Sequence, residues 1–280
     1  MIDLHTHSLR SDGSEPPARV AELAAEAGCR AFALTDHDTL DGLPEARRRA
    51  TELGVELVAG CEVSCAFRGG SAHVLVYFVA EGDSPLHDEL VRLRADRAER
   101  NRMLTERLAD LGVPVDWEEV VRAAGHEENV GRPHFAEVLV AHGAADSIDD
   151  AFDRWLGRGR PAHVPKARVS PATVAREASA SGGVAVLAHP LTLDMAGDEL
   201  PGALAELQEA GLVGLEAHYA AYGEEERAHL LALAASLDLV ATGGSDYHGR
   251  RRPDIRVGTG RGDLDVPDDV LERLGARRPG

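Results

Sequence analysis

The chain has 280 residues, 44% hydrophobic and 28% charged, a size and balance that fit one soluble globular unit with a smaller subdomain or a single α/β barrel. Its formal net charge of -18, from 48 acids against 30 bases, repels a long phosphate backbone and disfavours stable complexes with long nucleic acid, although bound divalent cations can reverse that sign locally. No run approaches the roughly 18 uninterrupted apolar residues of a membrane span, no basic segment and apolar core open the chain, and three irregularly spaced cysteines make no disulfide framework, so a cytoplasmic protein without a membrane partner is expected.

Short β-branched or apolar runs alternate with longer amphipathic ones. Strands are expected at 2–4, 31–34, 56–59, 72–79, 184–188, 213–216 and 239–242. Pro16 and Pro17 suit a first helical turn and Gly28 its end; Asp41 can cap the next helix, which runs to Leu53 before Gly54. Cys61 and Cys65 read as buried strand cysteines rather than half of a zinc site. Between 83 and 165 no strand pattern occurs. A long helix carries Leu86, Leu90, Leu93, Leu104, Leu108 and Leu111 on one face, followed by helical stretches at 116–124, 132–142 and 148–156. Its arginines (Arg92, Arg94, Arg97, Arg100, Arg102) alternate with acids and read as a solvated face. Further helices are expected at 171–181, 201–210 and 224–237. This alternation predicts a parallel α/β sheet or barrel, and seven strands point to a distorted one. The barrel would comprise 1–82 and 166–280, with 83–165 as an all-helical insertion capping the active site.

The chemistry-bearing residues gather at strand ends. His5 and His7 share one side of an extended segment, and Asp12 follows in a Ser-Asp-Gly turn. Strand two ends in Thr35-Asp36-His37-Asp38 and strand three in Gly60-Cys61-Glu62; a turn at Arg68-Gly69-Gly70 can fold His73 back beside Glu62. His189 ends strand five, Glu216-Ala217-His218 strand six, and strand seven leads into Ser245-Asp246-Tyr247-His248. In barrels, the C-terminal strand ends form the active face. Six imidazoles and three carboxylates gathered there would raise carboxylate pKa values unless cations intervened. Mixed His/Asp/Glu sets favour Zn, Mn or Fe over Ca or Mg. Nine ligands exceed one tetrahedral ion and suit two or three, with Glu62 bridging. Ions about 3.5–4 Å apart can share a hydroxide that attacks phosphorus or a carbonyl.

In this order, His5-x-His7, Thr35-Asp36-His37, Gly60-x-Glu62, His73, Ala188-His189-Pro190 and Ser245-Asp246-x-His248 resemble the motif set of the PHP (polymerase and histidinol phosphatase) family over nearly the whole chain. The resemblance implies a distorted (βα)7 barrel with a two- or three-metal phosphoesterase site. It implies one ion held by His5, His7, Glu62 and Asp246, a second by Glu62, His73 and His189, and a third by Asp12, His37 and His248. Asp12, His37, Asp246 and His248 are the expected catalytic set. The insertion, with Asn129-Val130-Gly131-Arg132-Pro133-His134 and then Phe152-x-x-Trp155-Leu156-Gly157-Arg158-Gly159-Arg160-Pro161-Ala162-His163-Val164-Pro165-Lys166, resembles a subgroup that hydrolyses the 3′-phosphate of nucleoside 3′,5′-bisphosphates. The same subgroup trims short 5′-phosphorylated RNA. Such an enzyme needs cations for the phosphate it does not cleave: Arg132 bidentately and Lys166, the only lysine, as a point charge. His134 is a candidate proton donor or phosphate ligand, and His218 a candidate substrate contact against a structural reading. Asp36 is read as orienting a ligand histidine, and Arg250-Arg251-Arg252 as a solvated loop that could meet a 5′-phosphate. The competing functions are a histidinol-phosphate phosphatase, an amide or ester hydrolase and a non-catalytic metal-binding regulatory module.

Overall fold

Seven strands, β1 (Ile2–Thr6), β2 (Ala31–Leu34), β3 (Glu56–Phe67), β4 (Gly70–Tyr77), β5 (Val184–Leu187), β6 (Leu212–Tyr219) and β7 (Val240–Gly244), pair in sequence order in one sheet. The computed structural model describes residues 1–280 except 81, 128–129, 166–168, 194, 196–198 and 280. A parallel bridge between Thr6 and Tyr247 brings the two sheet edges together, with the His7 amide donating to Tyr247 O at 2.9 Å and the Asp246 amide to His5 O at 2.8 Å. The result is a nearly closed α/β barrel.

Most strand pairs are parallel, but β4 runs antiparallel to both β3 and β5. The cause is the turn at Arg68 and Gly69, both at positive φ (45° and 83°), which returns the chain directly instead of through a helix. Pairing with β4 carries β3 on to Phe67, so Glu62 lies within a strand and not at its end, a correction to the expected 56–59. Cys61 and Cys65 are buried on this strand with free thiols, as is Cys29 elsewhere.

The helices α1 (Pro17–Glu26) and α2 (Leu43–Leu53) connect the first strands. Asp41 does not cap α2: Gly42 occupies that position, with no side-chain cap. Of the later helices, α7 (Pro171–Ala180), α8 (Leu200–Glu209), α9 (Glu224–Ser236) and α10 (Asp269–Gly275), the last was not apparent from sequence. Its Val270, Leu271 and Leu274 pack with Ile2, Leu4, Val240 and Val266, but seven residues are too few for periodicity to declare.

A second compact unit, Val91–Ala167, separates from the first, which is Met1–Leu90 with Arg168–Gly280. It takes most of α3 (Pro85–Asp110) together with α4 (Trp117–Ala124), α5 (Arg132–Ala141) and α6 (Ile148–Ala151), and a wider helical turn follows at Phe152–Leu156. Its core holds Leu104, Leu108, Val120, Phe135, Leu139 and Leu156. Two sequence expectations on α3 change. Leu111 is 39% exposed, and Arg100 is 7% exposed and donates to Asn101 Oδ1 at 2.8 Å, so the arginine run is not uniformly solvated.

Inside the barrel, the fully buried Tyr77 hydroxyl donates to Leu4 O at 2.9 Å. Removing one partner of a buried hydrogen bond costs about 1–2 kcal/mol. Tyr77→Phe is therefore expected to lower the melting temperature by roughly 2–6 °C in a thermal scan; an unchanged Tm would show that the bond contributes nothing.

Candidate metal centre

β1 places Asp3 and His5 on its inner side, and His7 follows one step beyond the strand. His5 Nε2, His7 Nε2, Glu62 Oε2 and Asp246 Oδ1 converge: the imidazole nitrogens lie 3.1 Å apart, 3.2 and 3.1 Å from Glu62 Oε2, and 3.4 and 3.3 Å from Asp246 Oδ1. All four residues are buried. Two neutral imidazoles cannot each find a lone pair and a proton in that arrangement. A cation bonded at about 2.0–2.1 Å to tetrahedral donors, by contrast, holds them about 3.3–3.4 Å from one another. The donor set therefore fits a divalent ion.

Glu62 serves the neighbouring groups as well. Its Oε1 lies 3.0 Å from His73 Nδ1 and 2.9 Å from His189 Nε2, and those nitrogens are 3.3 Å apart. His37 Nδ1 sits 3.3 Å from Glu62 Oε2 at an angle that makes no hydrogen bond, which leaves this buried nitrogen without a partner. A buried imidazole nitrogen with no hydrogen-bond partner beside a carboxylate has the lone pair and the setting of a cation donor. Asp12 completes the outer edge, 3.1 Å from His248 Nε2, 3.7 Å from His37 Nε2 and 3.8 Å from His7 Nδ1. His248 Nδ1 donates to Asp246 O at 2.9 Å, which turns Nε2 toward Asp12. The structure thus brings together all nine expected ligand residues. The groupings differ in detail: His7 joins Asp12, His37 and His248, and His37 joins Glu62 and His73.

The electrostatics follow from this crowding. Burial alone would raise the Glu62 and Asp246 carboxyls, but the surrounding imidazoles outweigh it and hold both well below the usual carboxylate range. Burial works to lower His7 as well, yet its bonds to Asp246 and Glu62 push it up to about 10. His5 is likewise raised, its carboxylate neighbours overcoming burial. In His37 burial wins, and the imidazole falls to about 4. A ligating imidazole must be neutral. Divalent-ion binding near neutral pH should therefore expel protons from His5 and His7, and affinity should rise with pH until His7 has lost its proton at about 10. Calorimetric titration of chelator-treated protein in two buffers of different ionisation enthalpy reads this directly. At least one proton released per chain is expected, and identical heats in both buffers would contradict it.

Several residues that hold the cluster were not legible as partners. Glu216 on β6 is 2.8 Å from His5 Nδ1 through Oε1, while Oε2 accepts from the His189 amide at 2.8 Å. Asp3 accepts from the amides of His5, Ser245 and Gly258, tying β1 to the far end of the chain. Tyr219 donates to Asp246 Oδ2 at 2.7 Å, and Arg252 pairs with the same oxygen. Arg252 is thus neither a free loop arginine nor remote from the site. Asp36 accepts from Ser8 and Ser11 and so fixes the loop after β1; the expected bond to a ligand histidine is replaced by these three, at 2.6–2.7 Å. Asp38, His189 and Asp246 all have positive φ (55°, 26° and 54°), a strain that persists only where surrounding structure imposes it.

Among the described residues, those expected to contact substrate lie outside the metal cluster's own contacts. His218 lines a separate cavity of about 480 Å³ with Glu224, Arg227 and Asp265, and burial, followed by Arg227, lowers its pKa. In the second unit, Arg132 lies over the Phe152 ring at 5.6 Å and donates to Leu156 O at 3.4 Å. His134 is buried, its Nδ1 accepting from the Gly131 amide at 3.0 Å. Lys166 and Asn129 fall outside the described residues.

A barrel that gathers six imidazoles and three carboxylates around a shared glutamate is built for metal-dependent hydrolysis, and the comparisons give the ester: this is a metal-dependent phosphoesterase. The PHP domain family model matches residues 3–119, and the chain belongs to the PHP family. It is 31% identical to a 5′-3′ exoribonuclease of Haemophilus influenzae, over 88% of this chain and 89% of the relative. A 3′,5′-nucleoside bisphosphate phosphatase of Chromobacterium violaceum is 32% identical over 88% and 87%. A phosphoribosyl 1,2-cyclic phosphate 1,2-diphosphodiesterase of Eggerthella lenta is 34% identical over 89% and 94%. Among solved structures, a Bifidobacterium adolescentis protein assigned as a metal-dependent phosphoesterase superposes with a TM-score of 0.85 at 31% identity, covering all of this chain and 96% of that one.

Proposed function

We propose that this enzyme hydrolyses the 3′-phosphate of nucleoside 3′,5′-bisphosphates and trims short 5′-phosphorylated oligoribonucleotides. The observation that carries the reading is the convergence of five imidazoles on Glu62, with Asp12 and Asp246 closing the set. The bisphosphate phosphatase and exoribonuclease relatives, similar along almost their full length, support the substrate class.

Divalent ions, two or three of Mn, Fe or Zn, when bound supply Lewis-acid charge at the phosphoryl oxygens and a nucleophile at neutral pH. The chain's own residues do the rest. Tyr219 and Arg252 hold Asp246 Oδ2, so Oδ1 faces His5 and His7. Asp12 and His73 are the most exposed of the set, with His37 and His189 partly exposed beside them, and along this edge substrate enters and a proton can reach the departing oxygen. His37, neutral near pH 7, and His248, aimed by its bond to Asp246 O, flank that edge. The uncleaved phosphate calls for guanidinium, ammonium or imidazole donors, the chemistry that the sequence offers at Arg132, Lys166 and His134. With no such role in a smaller monophosphate, histidinol phosphate is the weaker substrate.

Phosphate release from adenosine 3′,5′-bisphosphate, a 5′-phosphorylated RNA trimer, a ribosyl cyclic phosphodiester and histidinol phosphate, each with Mn²⁺, tests the proposal. The first two should be turned over fastest. Preference for the cyclic diester or for histidinol phosphate would overturn it. The acidic exterior should also make long 5′-phosphorylated RNA a poorer substrate than dinucleotide-sized ones at low salt.

No helix among the described residues is long and apolar enough to cross a membrane; we infer a cytoplasmic enzyme from this and from the thiols being free.

A further inference from the structure

Glu216 has 0% exposure and two partners that belong to different parts of the metal centre. Its Oε1 lies 2.8 Å from His5 Nδ1, on β1, and its Oε2 accepts from the His189 amide at 2.8 Å, just beyond β5. His5 faces His7, Glu62 and Asp246 through Nε2, whereas His189 faces His73 and the other oxygen of Glu62. One carboxylate therefore touches both donor groups from behind, on the side away from Glu62. The contact with Oε1 keeps the His5 proton on Nδ1, so that Nε2 carries the lone pair a cation needs. The contact with Oε2 clamps a residue at φ 26°, a backbone state that a non-glycine residue holds only under constraint. The His189 ring is then fixed by Nδ1, 2.9 Å from Thr192 Oγ1, which sends Nε2 toward Glu62.

We propose that Glu216 is a positioning residue that sets both donor groups at once, holding the His5 imidazole in its ligating tautomer and the His189 backbone in its strained turn. The inference rests on reading the cluster as a metal centre and not on the identity of the substrate. Glutamine at this position has the same shape but only one accepting atom. Either its oxygen keeps the His189 amide and its NH2 faces His5, driving the proton to Nε2, or it keeps His5 and opposes the His189 amide. In both cases one donor group is spoiled while the barrel wall stays filled.

The test is Mn²⁺ titration of chelator-stripped protein, followed by calorimetry for affinity and native mass spectrometry for ion count, on wild type, Glu216→Gln, Glu216→Asp and Tyr77→Phe. Glu216→Gln should bind Mn²⁺ roughly 10–100-fold more weakly, with the metal-free melting temperature near that of wild type. Its KM at saturating Mn²⁺ should be unchanged. Glu216→Asp keeps the charge but is one methylene too short to span both partners, and should also weaken binding; it decides the matter if the glutamine variant does not fold. Tyr77→Phe loses a buried hydrogen bond in the same barrel and should keep wild-type affinity. Wild-type affinity and ion count in both Glu216 variants would overturn the proposal, as would an equal loss of affinity in Tyr77→Phe, which would mean that stability alone is responsible. If wild type itself takes up no Mn²⁺, the metal-centre reading fails instead.

Discussion

Glu62→Gln is expected to leave a folded barrel that takes up fewer ions and releases phosphate roughly 10³-fold more slowly, since an interaction shared by several donors is removed at once. Five imidazole nitrogens lie within 3.3 Å of the Glu62 carboxylate, His5, His7 and His37 on Oε2 and His73 and His189 on Oε1. Replacing one oxygen by NH2 removes the negative charge and turns a donor hydrogen toward nitrogens whose lone pairs a cation must use. The side chain is 1% exposed and isosteric with glutamine, so the strand itself has no reason to unfold. Metal analysis of the purified variant beside a steady-state phosphate-release assay reads both effects. A variant with full ion content and turnover within tenfold of wild type would show that Glu62 does not bridge.

Gly244→Ala is expected to damage the site without touching any charged group. An added Cβ would lie 2.4 Å from both His5 Cβ and His5 N, at the seam where β7 meets β1. Neither is the far end of a flexible side chain, so the strands must part. Overpacking of this kind costs about 1–3 kcal/mol. The displaced element carries His5 on one side and leads into Asp246 on the other, and misplacement by about 1 Å costs on the order of 10²-fold in rate. A thermal scan with an activity assay checks both losses. Wild-type turnover in a destabilised protein would show that the seam has no part in aligning the ligands.

How much of this was legible beforehand differs by residue. Most of the nine ligand residues stand near strand ends, and Glu62 and His73 lie inside β3 and β4, but all occur in motifs that local spacing exposes, so they could be picked out without knowing how the barrel closes. Glu62 was recognised, but its strand was cut short at 59, because the reach of β3 depends on pairing with β4 and not on its own propensity. Glu216 was visible at the end of β6 by alternation. That it meets His5, 211 residues away, is decided by barrel closure, which no local pattern carries. The same holds for Asp3 with Ser245 and Gly258, and for Arg252, which read as loop because its partner Asp246 is reached only through a turn at positive φ. His218 was left by the sequence between a substrate contact and a structural histidine. A register irregularity in the β6–β7 pairing between Glu216 and His218 breaks the alternation on which its placement relied.

The central claim is that these side chains enclose divalent cations. Anomalous diffraction from crystals grown with Mn²⁺ measures it most directly. A peak is expected within about 2.0–2.3 Å of His5 Nε2, His7 Nε2, Glu62 Oε2 and Asp246 Oδ1 together, with at least one more sharing Glu62. Crystals in which Mn²⁺ scatters only at surface carboxylates, leaving those four atoms without a peak between them, would contradict the account.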